Sequence, residues 1–106
     1  MGNNRASERY AKSLLMLSID ERITEEIKGD IDLIIDSFSK SREISSLYLS
    51  PIIPIKHKIS ITKKIFTGKI HNHTLNLLLN LIIRKRDSLI ESILSKFNEL
   101  YNAHMN

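Results

Sequence analysis

The chain contains no cysteine, so neither a disulfide framework nor a thiolate metal site is available, and packing alone must hold the fold. A reducing compartment fits that composition. Glycine and proline are also scarce, at 3 and 2 of 106 residues, leaving few places where a helix is forced to stop. No apolar run approaches the roughly 20 residues needed to span a bilayer. The longest, Leu77–Leu78–Leu79 and Leu81–Ile82–Ile83, are split by Asn80 and followed at once by Arg84–Lys85–Arg86, so direct membrane insertion is not expected. The opening Met1–Gly2–Asn3–Asn4–Arg5–Ala6 lacks the apolar stretch of a signal peptide and the Ser or Thr that completes a myristoylation signal, and reads as a mature cytosolic start. Repeats and low-complexity tracts are absent, and Pro51–Ile52–Ile53–Pro54 is too short for a linker and reads as a corner.

What is present is a hydrophobic fraction of 42%, enough for one core at this length. Charge is polarised along the chain. Residues 1–53 carry 7 basic and 9 acidic side chains, net −2, and residues 54–106 carry 9 and 3, net +6. Such a distribution suits a solvated surface or a field that steers an acidic protein partner better than a nucleic-acid site.

Apolar spacing predicts six helices and a compact all-α bundle. The first covers about 6–19, after a flexible start at 1–5. The second covers about 24–39, with Thr24 as its cap and Ile27, Ile31, Ile34, Ile35 and Phe38 on one face. A short third covers 42–49 and ends before Pro51, because proline disfavours helical geometry in the residue ahead of it. Residues 55–66 alternate like a strand at Ile59–Ser60–Ile61–Thr62. Helix is nonetheless the expectation, since Pro54 suits a first turn and a lone strand would leave its backbone unpaired. Gly68 then serves as a stop, Asn72 or Thr74 opens a fifth helix through Arg84, and Asp87 caps a sixth that ends near Asn102 and leaves a tail at 103–106.

Two of these helices are more apolar than one contact requires. A helix on a single core needs a stripe somewhat over 100° wide, yet only Thr74, Asn76 and Asn80 interrupt the aliphatics between 74 and 83. Leu75, Leu78 and Ile82 lie centrally, with Leu77 and Leu81 on one flank and Leu79 and Ile83 on the other. The first helix likewise carries Tyr10, Leu14 and Leu17 on one side and Ala11, Leu15 and Ile19 on another. Either both helices lie centrally in the bundle, or they share an exposed groove that takes the apolar face of a partner helix, with Tyr10 at its rim.

The residues also resemble a family. Arg9–Tyr10–Ala11–Lys12–Ser13–Leu14–Leu15 resembles the opening helix of the delta subunit of F-type ATP synthases, related to the mitochondrial oligomycin-sensitivity-conferring protein. The likeness continues through Leu49–Ser50–Pro51 with Lys58, Phe66–Thr67–Gly68–Lys69, Thr74–Leu75–Asn76–Leu77–Leu78, Arg86 with Leu89, and Ile93, Phe97 and Leu100–Tyr101–Asn102. The resemblance implies a non-catalytic six-helix domain, here 6–102, that binds the N-terminal helix of an alpha subunit between its first and fifth helices. It would thereby help to hold the catalytic head against rotation during proton-driven ATP synthesis, on the cytoplasmic side of the inner membrane. By position it points to Ala6, Tyr10, Ser13 and Leu17 on the first helix, with Leu14 joining them from the same apolar side, and to Asn76, Leu79, Asn80 and Ile83 on the fifth. Contact with the peripheral-stalk b subunit belongs in the family to a further C-terminal domain and is not carried over to a chain that stops after the sixth helix. The family commonly has a glycine before the arginine between helices five and six, where this chain has Lys85. Either Lys85 takes a left-handed conformation at modest cost or the turn differs.

No cofactor or metal is expected. His71 and His73 have no carboxylate or thiol near them in sequence, no glycine-rich loop precedes a Lys–Ser or Lys–Thr, and Asp30, Asp32 and Asp36 read as a solvent face with no sign of paired burial. Two other functions compete with docking. Lys56–His57–Lys58, Lys63–Lys64 and Arg84–Lys85–Arg86 sketch a basic helical nucleic-acid-binding module, though aromatics for base stacking are sparse beside them. A self-associating helical module is the third possibility.

Overall fold

The computed structural model describes residues 2–106, with side chains from residue 5 onward, and it is all-α. Its elements are α1 (Gly2–Asp20), α2 (Thr24–Lys40), α3 (Arg42–Leu49), α4 (Ile55–Phe66), α5 (Asn72–Ile83), a 3₁₀ turn (Asp87–Leu89) and α6 (Ile90–Met105). The six helices follow the expected order. Their ends differ: α1 already begins at Gly2, inside the stretch expected to be flexible, and α6 runs on to Met105 through the expected tail. Met1 lies outside the described residues.

Three turns between helices use left-handed or glycine geometry. At the end of α1, Ile23 N–H donates to the Ser18 carbonyl and Arg22 N–H to that of Ile19, with Arg22 at φ 59°. This is a helix-ending motif in which one left-handed residue lets two orphan carbonyls be satisfied. The same pair of bonds closes α5: Arg86 N–H reaches Leu81 at 2.7 Å, Lys85 N–H reaches Ile82 at 3.0 Å, and Lys85 sits at φ 60°. Lys85 thus takes the left-handed alternative. Gly68, at φ 81°, occupies the third position of a four-residue turn closed by Lys69 N–H on the Phe66 carbonyl, a place that requires positive φ.

Two expected caps are replaced by tertiary bonds. Thr24 makes no cap bond at the start of α2; its hydroxyl instead lies 3.4 Å from the buried Ser18 Oγ. Asp87 does not cap α6 either. Its carboxylate accepts from Lys58 Nζ at 2.6 Å, with the two side chains 9% and 8% exposed. Lys58 also donates to the Ser50 carbonyl at 2.7 Å, so one ammonium joins the corner after α3, the body of α4 and the turn after α5. Asp30, expected on a solvent face, is instead only 8% exposed. Its Oδ2 accepts from His71 N–H at 2.8 Å and from Thr74 Oγ1 at 2.7 Å. An acid of α2 therefore caps the start of α5, where free amides and the positive helix end favour it.

The core is one cluster built from Ile27, Ile31 and Ile34 of α2, Phe66 of α4, Leu81 and Ile82 of α5, and Ile90, Ile93 and Phe97 of α6. Tyr48 of α3 stacks on Phe38 at 5.5 Å and shares a 2.8 Å hydrogen bond with Thr62. Burial pushes the Tyr48 phenol above its ordinary pKa; the Thr62 bond opposes that rise and the Asp87 charge adds to it. The Cα radius of gyration, 13.1 Å, is what a single domain of this length should have, about 13 Å for 100 residues. α1 lies most closely on α6, with Ser7 and Ala11 fully enclosed, while α1 and α5 approach each other only sparsely.

Candidate functional site

The sparse approach of α1 to α5 leaves a cleft of about 230 Å³ between them. Tyr10, Ser13, Leu14 and Leu17 line it from α1, and His73, Asn76, Leu77 and Asn80 from α5. The helices run antiparallel: Tyr10, in the first half of α1, bonds to Arg86 just beyond α5, and Glu21, just beyond α1, bonds to His73 in the first turn of α5.

Helical spacing explains the lining. Tyr10, Ser13, Leu14 and Leu17 are three or four apart and share one face of α1, as do His73, Asn76, Leu77 and Asn80 on α5. Leu14 forms the floor and belongs to the core at 5% exposure, whereas Leu17, Leu77 and Tyr10 are half-buried. Ser13, Asn76 and Asn80 are exposed and give the apolar floor a polar border. At the rim, the Tyr10 hydroxyl accepts from Arg86 Nη1 at 2.6 Å. Burial works to raise the phenol's pKa, but the hydrogen bonds and positive charges of Arg86 and Arg84 outweigh it and hold that pKa below its ordinary value.

Six of the nine residues expected from the sequence meet in this cleft: Tyr10, Ser13, Leu14, Leu17, Asn76 and Asn80. Ala6 lies one turn further along α1, in an adjoining hollow with Arg9, Lys85 and Arg86. Leu79 and Ile83 lie outside the cleft, on the flank of α5 turned away from Leu77; Leu79 packs on the core and Ile83 is 56% exposed. Two lining residues, Leu77 and His73, are not among those expected. A helix apolar nearly all round gives no sign of which flank meets α1; the spacing of His73 from Asn76 and Asn80 is a usable signal, and its Nε2 lies 2.9 Å from Glu21, 52 residues away.

The remaining histidine geometry is structural. The His71 ring stacks on His73 at 4.9 Å, and its Nδ1 accepts from His73 N–H at 3.1 Å, closing the first turn of α5. A second and larger groove, about 440 Å³, runs between α2, α3 and α6 past Ile35, Phe38, Glu91 and Leu94. None of its residues is among the nine partner-binding residues expected from the sequence.

Six helices on one core with a partly apolar seam left open between two of them define a small helical-bundle domain. Residues 6–106 match the family described as "ATP synthase delta (OSCP) subunit", and the chain belongs to that family. Among similar proteins, "ATP synthase subunit delta" of Chlorobaculum tepidum is 31% identical over 100 residues, 94% of this chain and 55% of the relative. The protein of the same name from Cytophaga hutchinsonii is 29% identical over 105 residues, 99% and 58% of the two chains. "ATP synthase subunit delta, chloroplastic" of Gracilaria tenuistipitata var. liui is 30% identical over 91 residues, 86% and 49%. The chain thus spans about half the length of the curated relatives it matches. Among the described residues, no helix is long and apolar enough to cross a membrane.

Proposed function

We propose that this chain is a non-catalytic stator domain that takes the N-terminal helix of an alpha subunit into the cleft between α1 and α5. In that position it helps to hold the catalytic head of an ATP synthase against rotation, so that the turning of the central shaft is converted into ATP. It sits peripherally on the cytoplasmic side of the inner membrane, and contact with the peripheral-stalk b subunit is not assigned to these helices.

One observation carries the reading. α1 presents two apolar sides; α6 covers one, and on the other Tyr10 and Leu17 face Leu77 across an open cleft. An apolar floor with a polar border is what an amphipathic helix needs to bury its own stripe without stranding polar groups. Family membership and the names of the relatives support the same assignment.

Titrating labelled protein with a peptide that copies the start of an alpha subunit tests it. Amide shifts should concentrate at Tyr10, Ser13, Leu17, Asn76 and Asn80. Tyr10→Asp should weaken binding by well over ~1 kcal/mol, because a charge would enter the apolar contact. Shifts confined to Ile35, Phe38 and Glu91, or an affinity untouched by Tyr10→Asp and Leu17→Asp alike, would sink the reading.

A further inference from the structure

The cleft is not electrically uniform along its length. At one end stand Arg9 of α1 and Arg84, Lys85 and Arg86 of the turn after α5, all exposed. None of the four forms an ion pair among the described residues; Glu8 adjoins Arg9 in sequence, and Asp87, next to Arg86, is already engaged by Lys58. Arg86 is not free to wander, since its guanidinium donates to Tyr10 Oη at 2.6 Å and is held at the rim. The left-handed Lys85 makes this possible. It reverses the chain two residues past the end of α5, so that Arg84 and Arg86 both bear on Tyr10 at the mouth.

The opposite end carries the other sign. Asp20 and Glu21 close α1, and Arg22 is the cation beside them. Glu21 reaches across to His73, which lines the cleft. From Arg9 to Glu21 is 12 residues, or about 18 Å at the rise of an α-helix. That is more than twice the Debye length of about 8 Å at physiological salt, so the two ends act as separate fields.

We infer that the cleft is a directional receptor: it admits a helix with segregated charge, acidic side chains against Arg9, Arg84 and Arg86 and basic or neutral ones against Glu21. The inference rests on the docking role proposed above and adds to it the charge order of the partner. A guest entering the wrong way round would set its acids beside Asp20 and Glu21 and leave the arginines uncompensated, so orientation is selected by repulsion as well as attraction.

Two synthetic helical peptides with the same apolar stripe separate the possibilities. One carries glutamates in its first two turns and lysines in its last two; the other has these exchanged. Both bear a nitroxide at the N-terminus, and paramagnetic broadening of the protein's amides reports where that terminus lies. The expected result is broadening around Ala6, Arg9 and Arg86 with the first peptide, and around Leu17, Glu21 and His73 with the second. In the variant combining Arg9→Glu, Arg84→Glu and Arg86→Glu, that preference should be lost and association should slow by about tenfold.

A nitroxide that stays at the same end with both peptides overturns the inference while leaving the cleft as a docking site, because backbone direction would then decide. A preference that survives the triple reversal overturns it equally. Broadening that misses α1 and α5 with either peptide removes the cleft itself and the polarity with it.

Discussion

The two sides of α1 carry apolar residues in similar density, yet one is sealed and the other is not. Against α6, the small Ser7 and Ala11 let the backbones come close, and the facing core includes Phe97, Ile93 and Ile90, all nearly or wholly enclosed. Against α5, the side chains are larger and more polar, with Tyr10 and Ser13 opposite Asn76 and Asn80, so the helices stay apart and a cleft remains. Hydrophobicity alone does not decide which seam closes. Small residues at the crossing close the one, and a polar border holds the other open.

The contrast can be broken from its strongest side. Phe97→Ala on the sealed side should destabilise the fold by about 3–5 kcal/mol, read by urea unfolding, because a large enclosed ring leaves a cavity that packing cannot refill. Next in size, Asp30→Ala should cost about 2 kcal/mol by the same measurement. It strands the buried Thr74 hydroxyl and uncaps α5, and amide exchange should accelerate at His71 and Asn72. Smaller, and opposite in sign, is Ser7→Ala. Its hydroxyl is enclosed without a hydrogen-bond partner, and alanine is the better helix former, so melting should shift upward by the equivalent of about 1 kcal/mol. On the open side, Asn76→Ala should stay within about 0.5 kcal/mol of the parent, since the residue is exposed. A large loss there would mean that the cleft wall is part of the core after all.

The smallest effect is a titration. Against the pull of burial, Arg86 and Arg84 hold the Tyr10 phenol below its ordinary pKa, so Arg86→Gln should move its ultraviolet titration upward. The sign for stability follows from the same linkage. A depressed folded pKa favours the native state as pH rises through that pKa towards the ordinary value near 10, and the gain disappears as pH falls back below it. The Arg86→Gln variant should show less of that gain.

Helix order is legible because the breakers are explicit: Pro51 and Gly68 end α3 and α4 where expected. The strand-like alternation in 59–62 misleads for a physical reason. The enclosed line of α4 is Lys58, Thr62 and Phe66, two of them polar and satisfied by Asp87 and Tyr48, while Ile61 is 38% exposed. The hydrophobic pattern is therefore a poor guide to the inner face there. Asp30 defeats a local reading in the same way, because its partners lie 41 and 44 residues away. In the candidate site, the face of α1 is readable from three-and-four spacing. The face of α5 is readable only in part, with Asn76 and Asn80 in the cleft and Leu79 and Ile83 outside it. An aliphatic run of that density permits almost any rotation until a neighbour fixes one.

The paired bonds of Lys58 have a mechanical side. Oily contacts slide past one another at little expense, but an ammonium shared between a backbone carbonyl and a carboxylate, each under 3 Å away, is directional and resists shear. It ties the corner at Ser50 to the turn that carries Arg84 and Arg86. A load on that turn would therefore be passed to the Ser50 corner along a short, directional strut as well as through the core.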